Sequence, residues 1–512
     1  MFSVRPLLNL RLLLLLALLP GVTVSAEVTL PKILTSHMVV QRDLPVHVWG
    51  LAAPGEAVSA SFRGETRSTK AGQLGRWSVY LSPGAAGGPF QLTVTGSPAV
   101  AGGDAVEPVA ETIKLDDVLV GDVWVASGQS NMEFEMHKAA TADEDLPHAA
   151  NARIRLLMVK RRAVEFPQDD ADTEGWTVST PETAKDFSAV AWYFAREIES
   201  REHVPVGVID STWGGTVAEA WTRMAALGAD AALAPLFVSW GKMTEHESDA
   251  MLTGKEEQQQ REEAKAQGKP EPQFPWHPQL SSWGPGMLYN GMIAPLTPFP
   301  IRGVIWYQGE SNSALVRAPL YNRIFRALIE DWRRQWGVGD FPFLYVQISN
   351  FSSNATEDWA ALREQQLKTL ELRNTAMAVT IDIGNPDNVH PTDKVDVGLR
   401  LARAARALSY GEAIEYSGPI YRQATAEAGA IRVWFDHAKG LTAKGGAAVG
   451  FEVAGADGKF VPATAKIDGA TALVSSEQVA EPMFVRYGWA NSPQCNLFNG
   501  EGLPASPFTS VE

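Results

Sequence analysis

The sequence predicts an α/β protein in which a mostly parallel sheet carries helices on both faces, with a β-rich region at each end of the chain. Between about residues 116 and 411, apolar strand-like segments alternate with longer helical patterns, which is typical of βαβ units. Residues 118–126 form a valine-rich, nearly continuous apolar run, which favours a central buried strand. Before and after this region, short alternating segments lie between Pro and Gly turns, which favours β-sheet.

Residues 1–26 have the pattern of a secretory signal. Arg5 and Arg11 precede the apolar run 12–19, and residues 24–26 are small, as signal cleavage requires. The run is too short to span a bilayer as a helix. We therefore expect an exported chain, periplasmic or extracellular, with no membrane anchor.

Charge and cysteine content exclude several classes of partner and site. The formal net charge of −15 argues against nucleic acid or an anionic membrane surface as the main partner. The single cysteine, Cys495, allows no intramolecular disulfide and no thiolate-rich zinc site. The oligomeric state is left open.

Residues 27–115 are expected to form an N-terminal β-sandwich-like domain, with alternating segments at 46–49 and 77–81. Residues 97–104 are small and glycine-rich, as in a loop at a sheet end or a flexible linker. The two β-rich regions are structural walls, oligomer contacts or sugar-binding modules, and we expect the structural role.

Residues 116–411 are expected to form the central domain, and residues 412–512 a C-terminal β-rich domain. Residues 225–273 are rich in Ala, Glu, Gln and Lys, which predicts a solvated helical insertion, with a lid over the site as the alternative. The strand and helix candidates of the central domain are residues 154–159, 189–199, 206–209, 303–306, 321–332, 343–348, 356–372, 376–383 and 394–408.

Ser130 lies where the first central strand is expected to end. Residues 127–131 are small and polar, so a turn is expected there, and a helix after it. A serine at a strand-to-helix turn exposes its hydroxyl above the sheet and aims its own N–H at a reacting oxygen. Ser130 is therefore a candidate nucleophile, and the alternative is a helix cap.

Two more strand candidates lead into polar or glycine-rich loops. Gly214 and Gly215 are either a plain turn or a place where backbone N–H groups approach a ligand closely. In the second loop, Gln308 and Asn312 are candidate donors to an oxyanion. Glu310, between them, is a candidate base, helix cap or orienting group.

His390 is the one histidine of nine that follows a strand candidate with carboxylates nearby, namely Asp382, Asp387 and Asp393. A lone histidine is more often structural than catalytic. Because the carboxyl ends of parallel strands meet at one edge of a sheet, four polar loops there make coincidence less probable.

The combination has the logic of a serine esterase. A serine hydroxyl is a weak nucleophile until a neighbouring base accepts its proton, and histidine has a suitable pKa. A carboxylate would fix the imidazole tautomer. The available oxyanion donors are the Ser130 N–H, an N–H of Gly214 or Gly215, and the side chain of Gln308.

The chain resembles the SGNH-hydrolase sialate O-acetylesterase and carbohydrate acetylesterase family. The matching segments are GQSNMEF at 128–134, STWGGTVAEAW at 211–221, WYQGESN at 306–312, VHPTDKVDVGLRLA at 389–402, and residues 485–508. The resemblance covers most of the mature chain. It implies that the central domain is a catalytic domain with a three-layer, flavodoxin-like SGNH sheet.

The resemblance also implies roles for single residues. Ser130 would be the nucleophile and His390 the catalytic histidine. The oxyanion groups would be Ser130, the Gly214–Gly215 pair, Gln308 and Gly309.

The resemblance leaves several candidates for the acidic member. SGNH enzymes generally place an acid three residues before the histidine, which is Asp387 here, and that residue is the prediction. Many relatives place Asp two residues before, where this chain has Asn388. Asp382 and Glu310 are the alternatives, as is a serine–histidine dyad steadied by a backbone carbonyl. Glu310, Asn312 and Asp382 are predicted to support the site.

The implied activity is removal of acetyl groups from sugar hydroxyls through a serine acetyl-enzyme, with no metal or cofactor. Two substrates remain open, O-acetylated sialic acid and acetylated plant polysaccharide such as xylan or xyloglucan. Sialate would need a basic group in the cleft, for which Arg223, Arg302 and Arg317 are candidates. The rival functions are a non-catalytic carbohydrate-binding protein and a serine peptidase or lipase, although GQSNM lacks the second glycine of G-x-S-x-G.

Overall fold

The computed structural model describes residues 28–97, 110–272, 274 and 277–511. The expected signal sequence at 1–26 and most of the expected loop at 97–104 lie outside the described residues. Within these ranges, no helix is long and apolar enough to cross a membrane.

The N-terminal part is built from short strands whose burial follows their sequence alternation. In the fifth strand, Trp77, Val79 and Leu81 are buried, and the residues between them are exposed. The strands are β1 (Val39–Gln41), β2 (Val46–Leu51), β3 (Ala57–Phe62), β4 (Glu65–Lys70), β5 (Arg76–Leu81) and β6 (Gly87–Ser97).

A single long strand, β7 (Glu111–Gly128), links this part to the central sheet. Its first half pairs antiparallel with β6, and residues 119–121 pair in parallel with β1. Its second half is the valine-rich run, buried from Val118 to Gly128, and pairs in parallel with two central strands.

The central region adds the strands β8 (Asn151–Val159), β9 (Thr173–Ser179), β10 (Val206–Thr212), β11 (Gly303–Tyr307), β12 (Phe343–Gln347) and β13 (Thr375–Val379). The strand order is β13-β12-β11-β7-β10-β8-β9, and every neighbouring pair is parallel except β8 and β9. Four N-terminal strands join the same sheet through β7, giving eleven strands in a curled sheet. The predicted mixed α/β architecture is confirmed.

Helices pack on both faces of this sheet. Trp124 of β7 contacts Phe194 of the fourth helix, with ring centroids 5.0 Å apart. Ser127 comes three residues after Trp124 in β7, so the two side chains lie on opposite faces of the sheet. Trp306 of β11 pairs with Ser127 and shares its face, where it contacts Phe325 of the ninth helix. The helices are α1 (Ser130–Glu133), α2 (Ala142–Asp145), α3 (Pro181–Ala184), α4 (Ala189–Glu202), α5 (Met224–Gly228), α6 (Ala234–Glu245), α7 (Glu247–Ala266), α8 (Leu280–Trp283), α9 (Tyr321–Trp336), α10 (Trp359–Lys368) and α11 (Val395–Ser409).

The segment 225–273, in which a helical insertion was predicted, contains α6, α7 and most of α5. The predicted C-terminal β-rich region is confirmed as well, with a hydrophobic core of its own that includes Val433, Val453 and Phe508. Its strands are β14 (Ile420–Glu427), β15 (Ala430–Asp436), β16 (Thr442–Ala443), β17 (Phe451–Ala454), β18 (Val461–Pro462), β19 (Thr464–Asp468), β20 (Thr471–Ser475), β21 (Phe484–Tyr487), β22 (Leu497–Phe498) and β23 (Phe508–Thr509).

Three neighbouring central strands, β7, β10 and β11, end at the same edge of the sheet. Gly128, the last residue of β7, pairs with Thr212 of β10 on one side and Tyr307 of β11 on the other. The loops that carry Ser130, the Gly214–Gly215 pair and Gln308 therefore leave the sheet at one edge.

Candidate active site

Ser130 begins helix α1 at a sharp turn after β7. Gly128 makes this turn possible: its φ is +134°, and a Cβ there would lie 2.1 Å from the Tyr307 carbonyl oxygen. The helix N-cap is Gln129, which makes no side-chain cap. The Ser130 hydroxyl instead lies 2.7 Å from Nε2 of His390. Nucleophile and base candidates are thus within hydrogen-bond reach, as general-base activation requires.

His390 is held as a neutral base. Burial lowers the pKa of its imidazole, and the positive charges of Lys394 and Lys138 lower it further. A lowered pKa keeps the imidazole neutral near neutral pH, the form in which it can accept the Ser130 proton at Nε2. The His390 backbone N–H donates to the side chain of Asn388 at 2.9 Å, which shapes the loop that carries the ring.

None of the three candidate acids reaches the His390 ring. Asp387 is exposed, and in the described part of the chain no hydrogen bond joins its carboxylate to His390. Asp382 forms a two-pronged ion pair with Arg400, at 2.7 and 2.8 Å. Glu310 is buried and bonded to Asn131. The arrangement present is a serine–histidine pair, and the triad role of Asp387 stays a prediction.

A buried polar network lies beside this pair and joins three loops. Asn131, next to the nucleophile, donates to Glu310 at 2.6 Å and to the Val389 carbonyl at 2.9 Å. Its side-chain oxygen accepts from the Lys394 ammonium at 2.6 Å. Because Val389 precedes His390, Asn131 fastens the histidine loop to the nucleophile turn.

Lys394 and Glu310 make this network electrostatically unusual. Burial lowers the pKa of Lys394 to about 7, although the charges of Glu310 and Asp393 oppose the change. The Lys394 ammonium also lies 4.7 Å from the Phe134 ring centroid, within the range of a cation–π contact. Burial raises the pKa of Glu310, whose second carboxylate oxygen is buried and has no hydrogen-bond partner within the described residues.

The Gln308 side chain is engaged inside the protein. Its amide donates to Asn312 at 2.7 Å and to Gln129 and the Thr216 carbonyl at 3.1 Å. Its oxygen accepts from the Tyr321 hydroxyl at 2.9 Å. The structure therefore places Gln308 and Asn312 in a buried layer that supports the loops, and an oxyanion role for Gln308 stays a prediction.

The glycine pair lies next to the nucleophile. A Cβ on Gly214 would be 3.2 Å from the Ser130 Cβ and 2.9 Å from a Glu133 carboxylate oxygen. The Gly214 N–H donates to that same oxygen at 2.8 Å. Gly215 accepts from the Trp283 indole through its carbonyl at 2.7 Å. The Glu133 carboxylate therefore accepts the hydrogen bond of the Gly214 N–H, which is one of the predicted oxyanion donors.

Sequence reasoning named three arginines as carboxylate anchors, and the structure brings none of them to Ser130. Arg223 pairs with Asp331, Arg317 with Glu219, and Arg302 donates to the Ser409 carbonyl.

Besides the buried Lys394, the basic residues Arg161 and Lys138 lie close to the site. Arg161 pairs with Glu133, which binds the Gly214 loop, and Lys138 pairs with Glu135. Each of these two basic side chains therefore already forms an ion pair with a glutamate.

Asn131, Glu133 and Lys394 were missed as site residues, although all three lie inside the recognised motifs 128–134 and 389–402. The position of Lys394, just before the helix Val395–Ser409, was the one available signal for a buried charge. The sequence could not show that Lys394 would donate to Asn131.

The chain is similar to known carbohydrate acetylesterases. Residues 276–407 match the family model "Carbohydrate esterase, sialic acid-specific acetylesterase". The sialate O-acetylesterases of Homo sapiens and Mus musculus are each 29% identical to the chain, with 93% and 92% of this chain and 91% and 92% of theirs aligned. The crystal structure of a carbohydrate acetylesterase from Xanthomonas citri is similar at 39% identity and a TM-score of 0.80, over 94% of this chain and 99% of that one.

The matches to the two sialate O-acetylesterases and to the crystal structure span nearly the whole chain. The chain therefore belongs to the sialate O-acetylesterase and carbohydrate acetylesterase family of carboxylic ester hydrolases.

Proposed function

We propose that the chain is an exported carbohydrate O-acetylesterase that removes acetyl groups from sugar hydroxyls through a serine acetyl-enzyme. The observation that carries the proposal is the 2.7 Å contact between the Ser130 hydroxyl and His390 Nε2 at the carboxyl edge of the sheet. Export rests on the signal pattern of residues 1–26. N-terminal sequencing of the secreted protein tests it, and an intact Met1 would contradict it.

The reaction proceeds in two halves. His390 Nε2 takes the Ser130 proton as the serine oxygen attacks the acetyl carbonyl carbon. The tetrahedral intermediate then expels the sugar oxygen, which takes the proton from Nε2 and leaves as an alcohol. Water repeats the sequence on the acetyl-enzyme and releases acetate.

The oxyanion is stabilised by backbone donors at the turn. The Ser130 N–H has no hydrogen-bond partner among the described residues and opens the helix, where a negative charge is favoured. The Gly214 N–H becomes a second donor when the Glu133 carboxylate moves away. Gly215 and Gln308 remain the other predicted contributors.

The proposal also includes the fold type of the central region and the division of the chain into domains. The central region, residues 116–411, is a three-layer SGNH sheet of flavodoxin-like type. It is flanked by an N-terminal domain at 27–115 and a C-terminal domain at 412–512, after a signal peptide at 1–26. The strand order, the parallel pairing and the two helical faces support the three-layer arrangement of the central region.

The substrate of first choice is O-acetylated sialic acid, because relatives of nearly the same length carry the name sialate O-acetylesterase. Acetylated plant polysaccharide is the second candidate, and one observation favours it. Arg161 and Lys138 are each paired with a glutamate, so the positive charge that they offer to a sugar carboxylate is already partly neutralised.

Acetate release by the purified mature chain tests the function and the substrate together. It is measured on O-acetylated sialic acid, acetylated xylan and acetylated xyloglucan. Ser130→Ala is expected to lower turnover by roughly 10³-fold or more on the true substrate. Ser68→Ala, an exposed serine on β4, is the matched control. Full activity in Ser130→Ala would contradict the mechanism.

A further inference from the structure

A cavity of about 680 Å³ lies between the N-terminal strands and the central region. One wall is the outer face of β2 and β5. The opposite wall is formed by residues 167–170 and 297–298, together with the side chains of Tyr289 and Gln335. We call this cavity the β2–β5 groove.

Three aromatic rings form a continuous stack on the strand wall. His47 and Trp49 lie two residues apart on one face of β2, and Tyr80 of β5 pairs directly with His47. The ring centroids are 4.7 Å apart for His47 and Trp49 and 4.5 Å apart for His47 and Tyr80, with interplanar angles of 20° and 9°. Tyr80 is 58% exposed, so its ring face is open to a ligand.

The stack is fixed in place and polar at its centre. His47 Nδ1 lies 2.9 Å from the Pro298 carbonyl oxygen, and only a donor can bond there, so the proton is on Nδ1. Burial lowers the pKa of His47, which keeps the ring neutral. Nε2 is then an acceptor, and it has no hydrogen-bond partner among the described residues.

The β2–β5 groove lies at the edge of the sheet opposite to Ser130. Pro298 precedes β11, whereas Tyr307 at the far end of β11 pairs with Gly128, just before Ser130. A five-residue strand spans roughly 16 Å, so the groove is separate from the catalytic site.

The lining chemistry matches a neutral sugar chain. Flat ring faces accept the C–H faces of pyranose rings, and amides and carboxylates around them bind hydroxyl groups. Gln168, Asp169 and Gln335 supply such groups, and Arg76 forms an ion pair with Asp169 at 2.7 Å. Arg223 also lines the groove and is paired with Asp331. With both arginines paired, Asp170 at the rim and a net chain charge of −15, the groove favours a neutral ligand over an acidic one.

We propose that the β2–β5 groove is a second carbohydrate site, which holds a neutral oligosaccharide segment away from the catalytic serine. A polymer held there remains near the enzyme between successive deacetylations, which raises its effective concentration at the active site. The proposal goes beyond the esterase function and does not depend on Ser130.

Binding is measured by calorimetry on the full mature chain carrying Ser130→Ala, with xylohexaose and cellohexaose as probes. Adding Trp49→Ala or Tyr80→Ala is expected to raise Kd at least roughly fivefold, because each removes a ring from the stack. Trp434→Ala, which removes a half-buried tryptophan of β15 in the C-terminal region, is the matched control and leaves Kd unchanged.

Several results would overturn the proposal. They are no binding of either hexasaccharide at millimolar concentration, the same Kd in all variants, and tighter binding of a sialic acid oligomer than of the neutral probes. A dimer that dissociates in Trp49→Ala would show that the groove is an interface between copies. Tyr80→Ala keeps the test valid if Trp49→Ala unfolds, because Tyr80 is exposed. No step requires turnover, so failure here leaves the esterase proposal intact.

Discussion

At the residue scale, the His390 ring contacts the candidate nucleophile on its Nε2 side. Its Nε2 meets Ser130, and the charges that act on its pKa are the two lysines Lys394 and Lys138 rather than a carboxylate. A base in this setting stays neutral at lower pH than a free imidazole, but in the part of the chain that the structure describes no acid bonds the ring to stabilise the imidazolium that forms during the reaction.

Asp387→Asn distinguishes the serine–histidine dyad seen in this structure from a triad that Asp387 joins when substrate binds, and we predict the outcome for the dyad. We expect kcat/KM to fall by less than about threefold, whereas loss of a true triad aspartate costs up to roughly 10⁴-fold. Steady-state kinetics on the acetylated sugar gives the answer, with His390→Ala as the reference for full loss. A decrease as large as that of His390→Ala would mean that Asp387 moves onto Nδ1 when substrate binds.

Lys394→Met is expected to move the acid limb of the pH–rate profile to higher pH. The reaction needs neutral His390, so activity rises as pH passes the pKa of that residue. The Lys394 charge lowers this pKa and is present below pH 7, since the pKa of Lys394 itself is about 7. Removing the charge raises the pKa of His390, and the limb follows.

The control for this shift is Lys138→Met, because Lys138 also acts on His390 but is about half exposed and screened by solvent. Its profile should shift less. A fall in kcat with no change in the profile would show that Lys394 only positions Asn131. Asn131 bonds both Lys394 and the carbonyl of Val389.

At the element scale, the loop after β10 has little free space. Gly214 touches both the nucleophile and Glu133, and any Cβ there would press on them. Gly214→Ala is expected to lower kcat/KM at least tenfold by displacing Ser130 or blocking the backbone donor. Gly241→Ala, inside α6 with nothing within 4 Å, is the control, and should raise stability by about 0.5–1 kcal/mol at unchanged kcat/KM. Equal activity in both variants would contradict the role of the Gly214 loop.

Local patterns made most of the central elements predictable. The valine run of β7 and the polar residues after it are a local signal, and so are the strand ends that carry His390 and the glycine pair. The curl of the sheet was not predictable, because it depends on β6 and β1 pairing with the first half of β7 across long loops. The hydrogen bond from the Gly214 N–H to Glu133 likewise joins two loops that are far apart in the sequence, so no spacing pattern predicts it.

At the scale of the whole molecule, one buried arginine links the central sheet to the C-terminal region. Arg363 of α10 is fully buried and donates to four backbone carbonyls. Two belong to Ile348 and Ser349 after β12, and two to Ala490 and Asn491 in the C-terminal region, at 2.8 to 2.9 Å. Burial lowers the pKa of Arg363 to about 10, so the guanidinium remains charged at neutral pH.

Arg363→Met is expected to lower the free energy of unfolding by about 3 kcal/mol or more, because four buried carbonyls lose their donor while the volume of the side chain is nearly kept. Urea unfolding followed by tryptophan fluorescence measures the change. Arg373→Met is the matched control: its side chain is 88% exposed and forms a surface ion pair with Asp340, so its loss should cost less than about 0.5 kcal/mol. If both variants unfold at the same urea concentration, the C-terminal region is held to the sheet by other contacts, such as the hydrogen bond from Gln347 to Ser506.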